Sequence, residues 1–340
     1  STVIILEPFA TDDKFWLDKN VLITGASGFI GGAVLKNLKN CGANTVALVR
    51  DFVPKSQLFA TGLYKDTVIV QGKLEDFDLI RRTLAEYEIQ VIYHIGAQTQ
   101  VTTALSDPIG TFNANIIGSC NVLEAARKSQ TTESVIVASS DKAYGISDKL
   151  PYTEDMPMKG AFPYEVSKSC TDLIARSYFE TYGMPVTIAR CGNTYGEGDL
   201  NFRRLIPKII KYVKFGIPLV MRSDGTPKRD FVYIEDVLSA YMLLGKEAKR
   251  KGVCGEAFNF SSGRAISVME VVELMLKILK SNAKPQWVKS PDNEIPEQYL
   301  SIEKARRVLG WEPKYDLKTG LNKTIEWYDK FLKEKQFKLL

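Results

Sequence analysis

Six short runs rich in β-branched and other apolar residues alternate with amphipathic stretches through the first half of the chain. They are VLIT at 21–24, TVALV at 45–49, VIVQ at 68–71, VIYHIG at 91–96, SVIVASS at 134–140 and PVTIARC at 185–191. In the first intervening stretch Ile30, Val34 and Leu38 share one helical face. Near-continuous apolar runs separated by helices predict βαβ units and a parallel sheet buried on both sides. Right-handed crossovers bring the carboxyl ends of such strands to one edge, where ligands bind. The expected fold class is α/β, a Rossmann-type doubly wound parallel sheet.

Beyond about residue 192 the alternation weakens. NFRRLIPKIIKYVKFG reads as a helix, PLVMR as a strand, RDFVYIEDVLSAYMLL as a strand entering a helix and EAFNFSS as a strand, with further helices near 267–280, 303–309 and 317–334. This predicts a smaller, interleaved C-terminal lobe. A dinucleotide-binding domain would span 15–192, with returning segments near 229–240 and 256–262; 193–228 and 263–335 would form the substrate-binding lobe. The lysine-rich end KFLKEKQFKLL reads as a solvated helix face.

The first strand runs directly into TGASGFIGGAVL, with glycines at Gly25, Gly28 and Gly31. That spacing lets the chain turn sharply, lets backbone N–H groups approach a pyrophosphate and lets the helix pack closely on the strand, its N-terminal dipole facing the anion. A dinucleotide is therefore expected on Gly25, Ser27, Gly28, Phe29, Ile30 and Gly31. Its identity stays open between NAD and NADP. An acid at the end of the second strand would hold a ribose 2′-hydroxyl and an arginine would accommodate a 2′-phosphate. ALVRD offers both, as Arg50 and Asp51, with Val49 in the usual acidic place, which tilts the balance toward NADP.

Composition narrows the function. The net charge of +5, from 45 basic and 40 acidic residues, includes no basic stripe interleaved with aromatics, so no nucleic-acid partner is expected. Five scattered cysteines without a C-x-x-C pair argue for reduced thiols and against a structural zinc, and one histidine excludes a histidine-based metal cluster. His94 itself reads as a satisfied core or strand-end residue. No apolar run approaches the ~18 residues a membrane helix needs. The opening STVIILEPFA lacks signal-peptide features. A cytoplasmic location without a membrane partner is the expectation.

The chemistry concentrates in two stretches. PYEVSKSC places Tyr164 and Lys168 one helical turn apart, so the ammonium can favour a phenolate base near neutral pH. ASSDKAYG places Asp141 beside Lys142 at the end of the fifth strand, with Ser139 and Ser140 before them.

Together with HIGAQ, NANIIGS, RCGNTYG and RDFVYIEDV, these motifs make the chain resemble the extended short-chain dehydrogenase/reductase family, and within it the nucleotide-sugar epimerases and dehydratases, from Phe15 to Leu332. The Asp141-Lys142 pair, FWLDKNVLITG and RCGNTYGEGDLNFRRLIP most resemble the 4,6-dehydratases of CDP-glucose. The resemblance implies a lyase: oxidation of a sugar nucleotide at C4, elimination of water across C5 and C6, and return of hydride to C6. The nicotinamide cofactor would be tightly bound and regenerated at each turnover. A 4-epimerase, or a dehydratase of a UDP-, dTDP- or GDP-sugar, is the alternative.

Under that resemblance Tyr164 takes the 4-hydroxyl proton, Lys168 holds the nicotinamide ribose, Asp141 is the acid at the 6-hydroxyl and Ser140 bonds the 4-hydroxyl. Lys142 is the C5 base or, kept charged, a stabiliser of the enolate. The base role inverts the ordinary states of a carboxyl and an amine, at a cost of roughly 9 kcal/mol in water. Lys73, Leu74, Ile95, Gly96 and Ala97 would complete the cofactor site. Gln98, Asn193, Arg204 and Arg229 would meet the substrate, Arg229 alternatively pairing with Asp230. A homodimer through a four-helix bundle of 108–128 and 164–182 is implied, with Ile116, Ile117 and Leu123 suiting either that surface or the core.

Overall fold

The computed structural model describes residues 14–289 and 295–334; the opening STVIILEPFA and residues 335–340, which end both the lysine-rich stretch and the 263–335 lobe, lie outside the described residues. In chain order the first elements are β1 (Asn20–Thr24), α1 (Phe29–Asn40), β2 (Asn44–Val49), α2 (Gln57–Ala60), β3 (Val68–Gln71), α3 (Phe77–Glu86) and β4 (Val91–His94). Then come α4 (Val101–Ser106), α5 (Pro108–Phe112), α6 (Gly118–Lys128), β5 (Ser134–Ala138), α7 (Pro163–Tyr182) and β6 (Val186–Cys191). β7 (Asn193–Tyr195), α8 (Leu205–Lys214), β8 (Lys228–Arg229), β9 (Phe231–Tyr233), α9 (Ile234–Glu247) and β10 (Ala257–Phe260) follow. The chain closes with β11 (Ile266–Ser267), α10 (Val268–Ile278), β12 (Glu297–Gln298) and α11 (Leu317–Glu334).

Packing groups the described residues into two compact units. The first takes in residues 14–145, Pro157–Arg190 and Leu238–Ala257; the second takes in Ile146–Met156, Cys191–Val237, 258–289 and 295–334. The central sheet has seven strands in the order β10-β6-β5-β4-β1-β2-β3, of which β1 to β5, and β6 as far as Arg190, belong to the first unit. The pairings from β6 across to β3 are all parallel. Every residue of β4, β5 and β6 is buried, which is why their sequences lack the alternation of a one-sided sheet. Leu22, Ile92, Val135, Val137 and Ile188 pack there against Val122 and Leu123 of α6. Leu123 is therefore core, whereas Ile117 is exposed.

The strand order reverses direction between β1 and β4, where open α/β sheets bind ligands. β3 forms the opposite edge, with Val68 and Ile69 exposed. The second unit has a sheet in the order β11-β8-β12 and a pair β7-β9. PLVMR is not a strand. Leu219 and Met221 are buried while Val220 is exposed, the period-2 burial that made it read as one, but its pairing is a single bridge from Val220 to Gln286. The 108–128 helix is also not uniform: residues 113–117 widen into a π-helical turn between α5 and α6.

Candidate active site

At the exit of β1 the chain turns at Gly25, whose φ of +75° strains any residue with a side chain. A Cβ there would lie 2.7 Å from the Gly96 Cα, and a Cβ on Gly31 would lie 2.2 Å from the Gly25 carbonyl oxygen. These two glycines thus let the β1 and β4 exit loops touch and let α1 close onto the turn, leaving backbone at the start of a 12-residue helix to face an anion. The cradle fits the pyrophosphate of a dinucleotide. When bound, Gly25, Ser27, Gly28, Phe29, Ile30 and Gly31 would hold it.

At the end of β2, Val49 is buried and apolar, and the next two residues form an exposed ion pair, Arg50 Nε to Asp51 Oδ2 at 2.5 Å. A carboxylate suited to ribose hydroxyls and a guanidinium suited to a phosphate stand side by side. Lys73 is exposed, and the Leu74 carbonyl accepts a hydrogen bond from Asn121 Nδ2 at 3.0 Å.

The loop after β4 is clamped at both ends. Thr24 Oγ1 accepts from Ile95 N at 3.1 Å and Gly96 N at 2.9 Å, so its own proton goes to His94 Nδ1, 3.0 Å away. His94 Nε2–H then donates to Ser119 Oγ at 2.9 Å, and Ser119 donates to the Asn115 carbonyl at 2.5 Å. Burial, and then the Lys168 charge, push the imidazole down to about 3, consistent with this neutral tautomer. His94 is the satisfied buried residue expected. At the far end Asn115, in the π-helical turn, accepts from Gln98 N at 2.7 Å and donates to Gln98 O at 2.9 Å and to Ser167 Oγ at 2.9 Å. Gln98 turns its amide back onto its own loop, accepting from Gln100 N at 2.6 Å and donating to Gln100 O at 2.8 Å. Ile95, Gly96 and Ala97 are thereby held half-buried beside Gly25.

α7 carries the tyrosine and the lysine. Pro163 opens the helix, and the Glu165 carboxylate accepts from Ala161 N at 3.0 Å and Phe162 N at 3.4 Å, satisfying N–H groups at its start. Tyr164 and Lys168 are both buried, and Lys168 Nζ donates to the Ala138 carbonyl at 2.8 Å, at the end of β5. Two residues on, Ser140 Oγ accepts from Lys142 N at 3.2 Å and starts a 3₁₀ turn over Asp141–Tyr144. Ser140 Oγ also donates to Asp141 Oδ1 at 3.0 Å, and Lys142 Nζ reaches the same oxygen at 3.2 Å. The Asp141 side chain is 1% exposed and that of Lys142 25%. Ser169 Oγ donates to the Ala143 carbonyl at 2.8 Å. The 138–144 segment is thus fastened along α7, and Ser140, Asp141, Lys142, Tyr164 and Lys168 come together in the first unit.

Asn193, Arg204 and Arg229 lie in the second unit. Asn193 N donates to the Asp230 carbonyl at 2.8 Å, Arg204 pairs with buried Asp199 at 3.0 Å, and Arg229 Nη1 donates to the Lys228 carbonyl at 2.8 Å. The Asp230 carboxylate is engaged by Ser262 N and Leu300 N.

The residue-by-residue reading passed over Thr24, Asn115, Ser119, Asp172 and Arg190. The signal was there for Arg190, since a charge inside a strand as apolar as VTIARC is stable only with a buried partner. Among the described residues no group of three or more His, Cys, Asp and Glu could hold a metal ion, and no helix is long and apolar enough to cross a membrane.

Comparison with known proteins agrees with this geometry. The chain is 30% identical over 331 residues to UDP-glucuronate 4-epimerase 4 of Arabidopsis thaliana, covering 91% of this chain and 75% of the relative. It is 27% identical over 339 residues to CDP-glucose 4,6-dehydratase of Salmonella typhimurium, covering 95% and 94%. The crystal structure of dTDP-glucose 4,6-dehydratase from Bacillus anthracis in complex with NAD superposes with a TM-score of 0.81 at 27% identity, covering 92% of this chain and 97% of that one. The family model described as GDP-mannose 4,6 dehydratase matches residues 22–324. A nucleotide-binding glycine cradle, a buried Tyr164 and Lys168 on one helix, and a match over most of its length place the chain in the GDP-mannose 4,6 dehydratase family of NAD-dependent nucleotide-sugar dehydratases and epimerases.

Proposed function

We propose that the protein is a nucleotide-sugar 4,6-dehydratase, with CDP-glucose as its substrate. One observation carries the reading: the ion pair of Asp141 and Lys142, on a turn fastened along the helix that bears Tyr164 and Lys168. An epimerase has no step that needs a second acid and base at that strand end. A dehydratase does.

Bound NAD supplies a hydride acceptor and donor. Tyr164 takes the proton of the sugar 4-hydroxyl, with Ser140 bonding that hydroxyl and Lys168 favouring the phenolate. Once C4 is a ketone the C5 proton is acidic. Lys142 takes that proton and Asp141 gives one to the departing 6-hydroxyl, so water leaves. A single proton shift across the 3.2 Å contact from Lys142 Nζ to Asp141 Oδ1 converts the resting ion pair into the required acid and amine. If Lys142 instead stays charged, it stabilises the enolate. Asn193, Arg204 and Arg229 are proposed for the diphosphate; the engaged amide of Gln98 gives it a role in shaping the 95–98 loop.

The 30% identity to a UDP-glucuronate 4-epimerase supports the second reading, a 4-epimerase. Incubation with CDP-, dTDP-, UDP- and GDP-sugars separates the two. A dehydratase yields a 4-keto-6-deoxy product that absorbs after alkali treatment, and a 4-epimer does not; only epimers across the panel would overturn the proposal. The family's NAD is the proposed cofactor, and Arg50 leaves room for NADP. Mass spectrometry of the ligand released on denaturation decides between them. The protein is further proposed to form a homodimer through 108–128 and 164–182, supported by exposed Ile109, Ile117 and Leu173; a monomer in sedimentation would overturn this.

A further inference from the structure

The elimination pair sits on a turn of four residues, Asp141–Tyr144, and so short a turn does not fix its own orientation. Its last residue, Tyr144, is 2% exposed, and its hydroxyl accepts a hydrogen bond from Arg190 Nη1 at 2.8 Å. The guanidinium carbon also lies 5.0 Å from the centre of the Tyr144 ring. The other face of the same guanidinium grips α7: Nε and Nη2 of Arg190 donate to the two carboxylate oxygens of Asp172, each at 2.8 Å. Asp172 is one helical turn beyond Lys168 and 2% exposed, and Arg190, in β6, is 4% exposed. One rigid, planar cation therefore joins the strand, the helix of Tyr164 and Lys168, and the turn of Asp141 and Lys142. The start of α7 has its own fastenings, through Glu165 to Phe162 N and through Ser167 to Asn115. With Ser169 still holding the Ala143 carbonyl, loss of the Tyr144 contact would loosen the end of the turn and leave the helix in place.

We propose that Arg190, acting through Tyr144 and Asp172, is a positioning residue that sets the Asp141-Lys142 pair against the Tyr164-Lys168 helix, so that elimination depends on it while oxidation at C4 does not. The inference rests on the dehydratase reading and adds to it the element that orients the acid and the base. Displacement of a reacting group by about 1 Å costs on the order of a hundredfold in rate, which sets the scale expected.

The test uses Tyr144→Phe in the full chain, which keeps the ring and removes only the hydroxyl, with CDP-glucose or whichever panel sugar nucleotide turns over. Formation of the 4-keto-6-deoxy product should fall tenfold or more with KM little changed. Exchange of the C5 hydrogen with deuterated solvent should fall in parallel. C4 oxidation, followed by nicotinamide absorbance in a single turnover, should keep the wild-type rate, and the thermal midpoint should stay within a few degrees. Arg190→Lys keeps the charge beside Asp172 but lacks the fork that serves two partners at once; it should show the same split, more strongly. Product formation at the wild-type rate in Tyr144→Phe, or oxidation and elimination slowed by the same factor, overturns the inference alone. Absence of any 4-keto-6-deoxy product from the wild-type protein overturns the dehydratase reading and this dependence with it.

Discussion

Tyr164, the proposed base, and His94 make opposite demands on their surroundings at the residue scale. In the proposed reaction Tyr164 loses its proton to act, so Tyr164→Phe should lower turnover by about a hundredfold or more, the usual worth of a positioned base. Binding of the sugar nucleotide should change little; steady-state kinetics and calorimetry check both. His94 must never gain a proton, because both ring nitrogens are committed to Thr24 and Ser119. Its value falls from 6.5 to about 3 in the fold. Between those limits the unfolded chain binds a proton at this position and the folded chain does not, so the contribution of His94 to stability is complete above pH 6.5 and is lost as the pH falls toward 3. As the only histidine, it gives a single set of imidazole resonances. Those resonances should report the neutral Nε2–H tautomer without titrating until the protein unfolds in acid. A midpoint near 6.5 in the folded protein would refute the assignment.

Elements explain what could be read beforehand and what could not. The strands were legible because burial on both faces leaves VLIT, VIYH or SVIVA no room for polar alternation, and the glycine turn was legible because only glycine relieves the contacts it makes. Those contacts rank the glycines. A methyl on Gly31 would lie 2.2 Å from backbone, whereas one on Gly28 would lie 3.2 Å from the same carbonyl oxygen, a gap that a few tenths of an ångström relieves. Gly31→Ala should therefore lower the thermal midpoint of the nucleotide-free protein by more than Gly28→Ala does, the overpacking costing on the order of 1–3 kcal/mol. Calorimetry of the two variants is the measurement. The π-helical turn at 113–117 was not legible, because one added residue per turn leaves the local composition helical while re-aiming Asn115 at Gln98 and Ser167. The roles of Tyr144 and Arg190 were hidden for a related reason: partners 46 residues apart meet only through the sheet. PLVMR shows the converse, a strand-like period without a neighbouring strand to bond to.

At the scale of the whole molecule the order of the chain is not the order of the fold. The first unit is completed by Leu238–Ala257, long after its main sequence ends at Arg190. Tyr93 in β4 packs between Trp16 and Tyr241 of α9 and donates to the Tyr241 carbonyl at 3.2 Å, while Glu256 accepts from Ile188 N beside β6. A fragment ending at Arg190 should therefore fail to fold cooperatively or bind NAD, despite containing every proposed cofactor residue. Circular dichroism and NAD titration of the fragment would show it. The buried pair of Arg190 and Asp172 also bears on how such a sequence can drift. Removing either member alone strands a charge in the interior, at about 3–5 kcal/mol, while exchanging both for well-packed apolar residues can be neutral. Single substitutions that remove the charge at position 172 or 190 are dead ends and double ones are open, so any lineage that left this arrangement had to cross a valley in which the intermediate loses much of its stability.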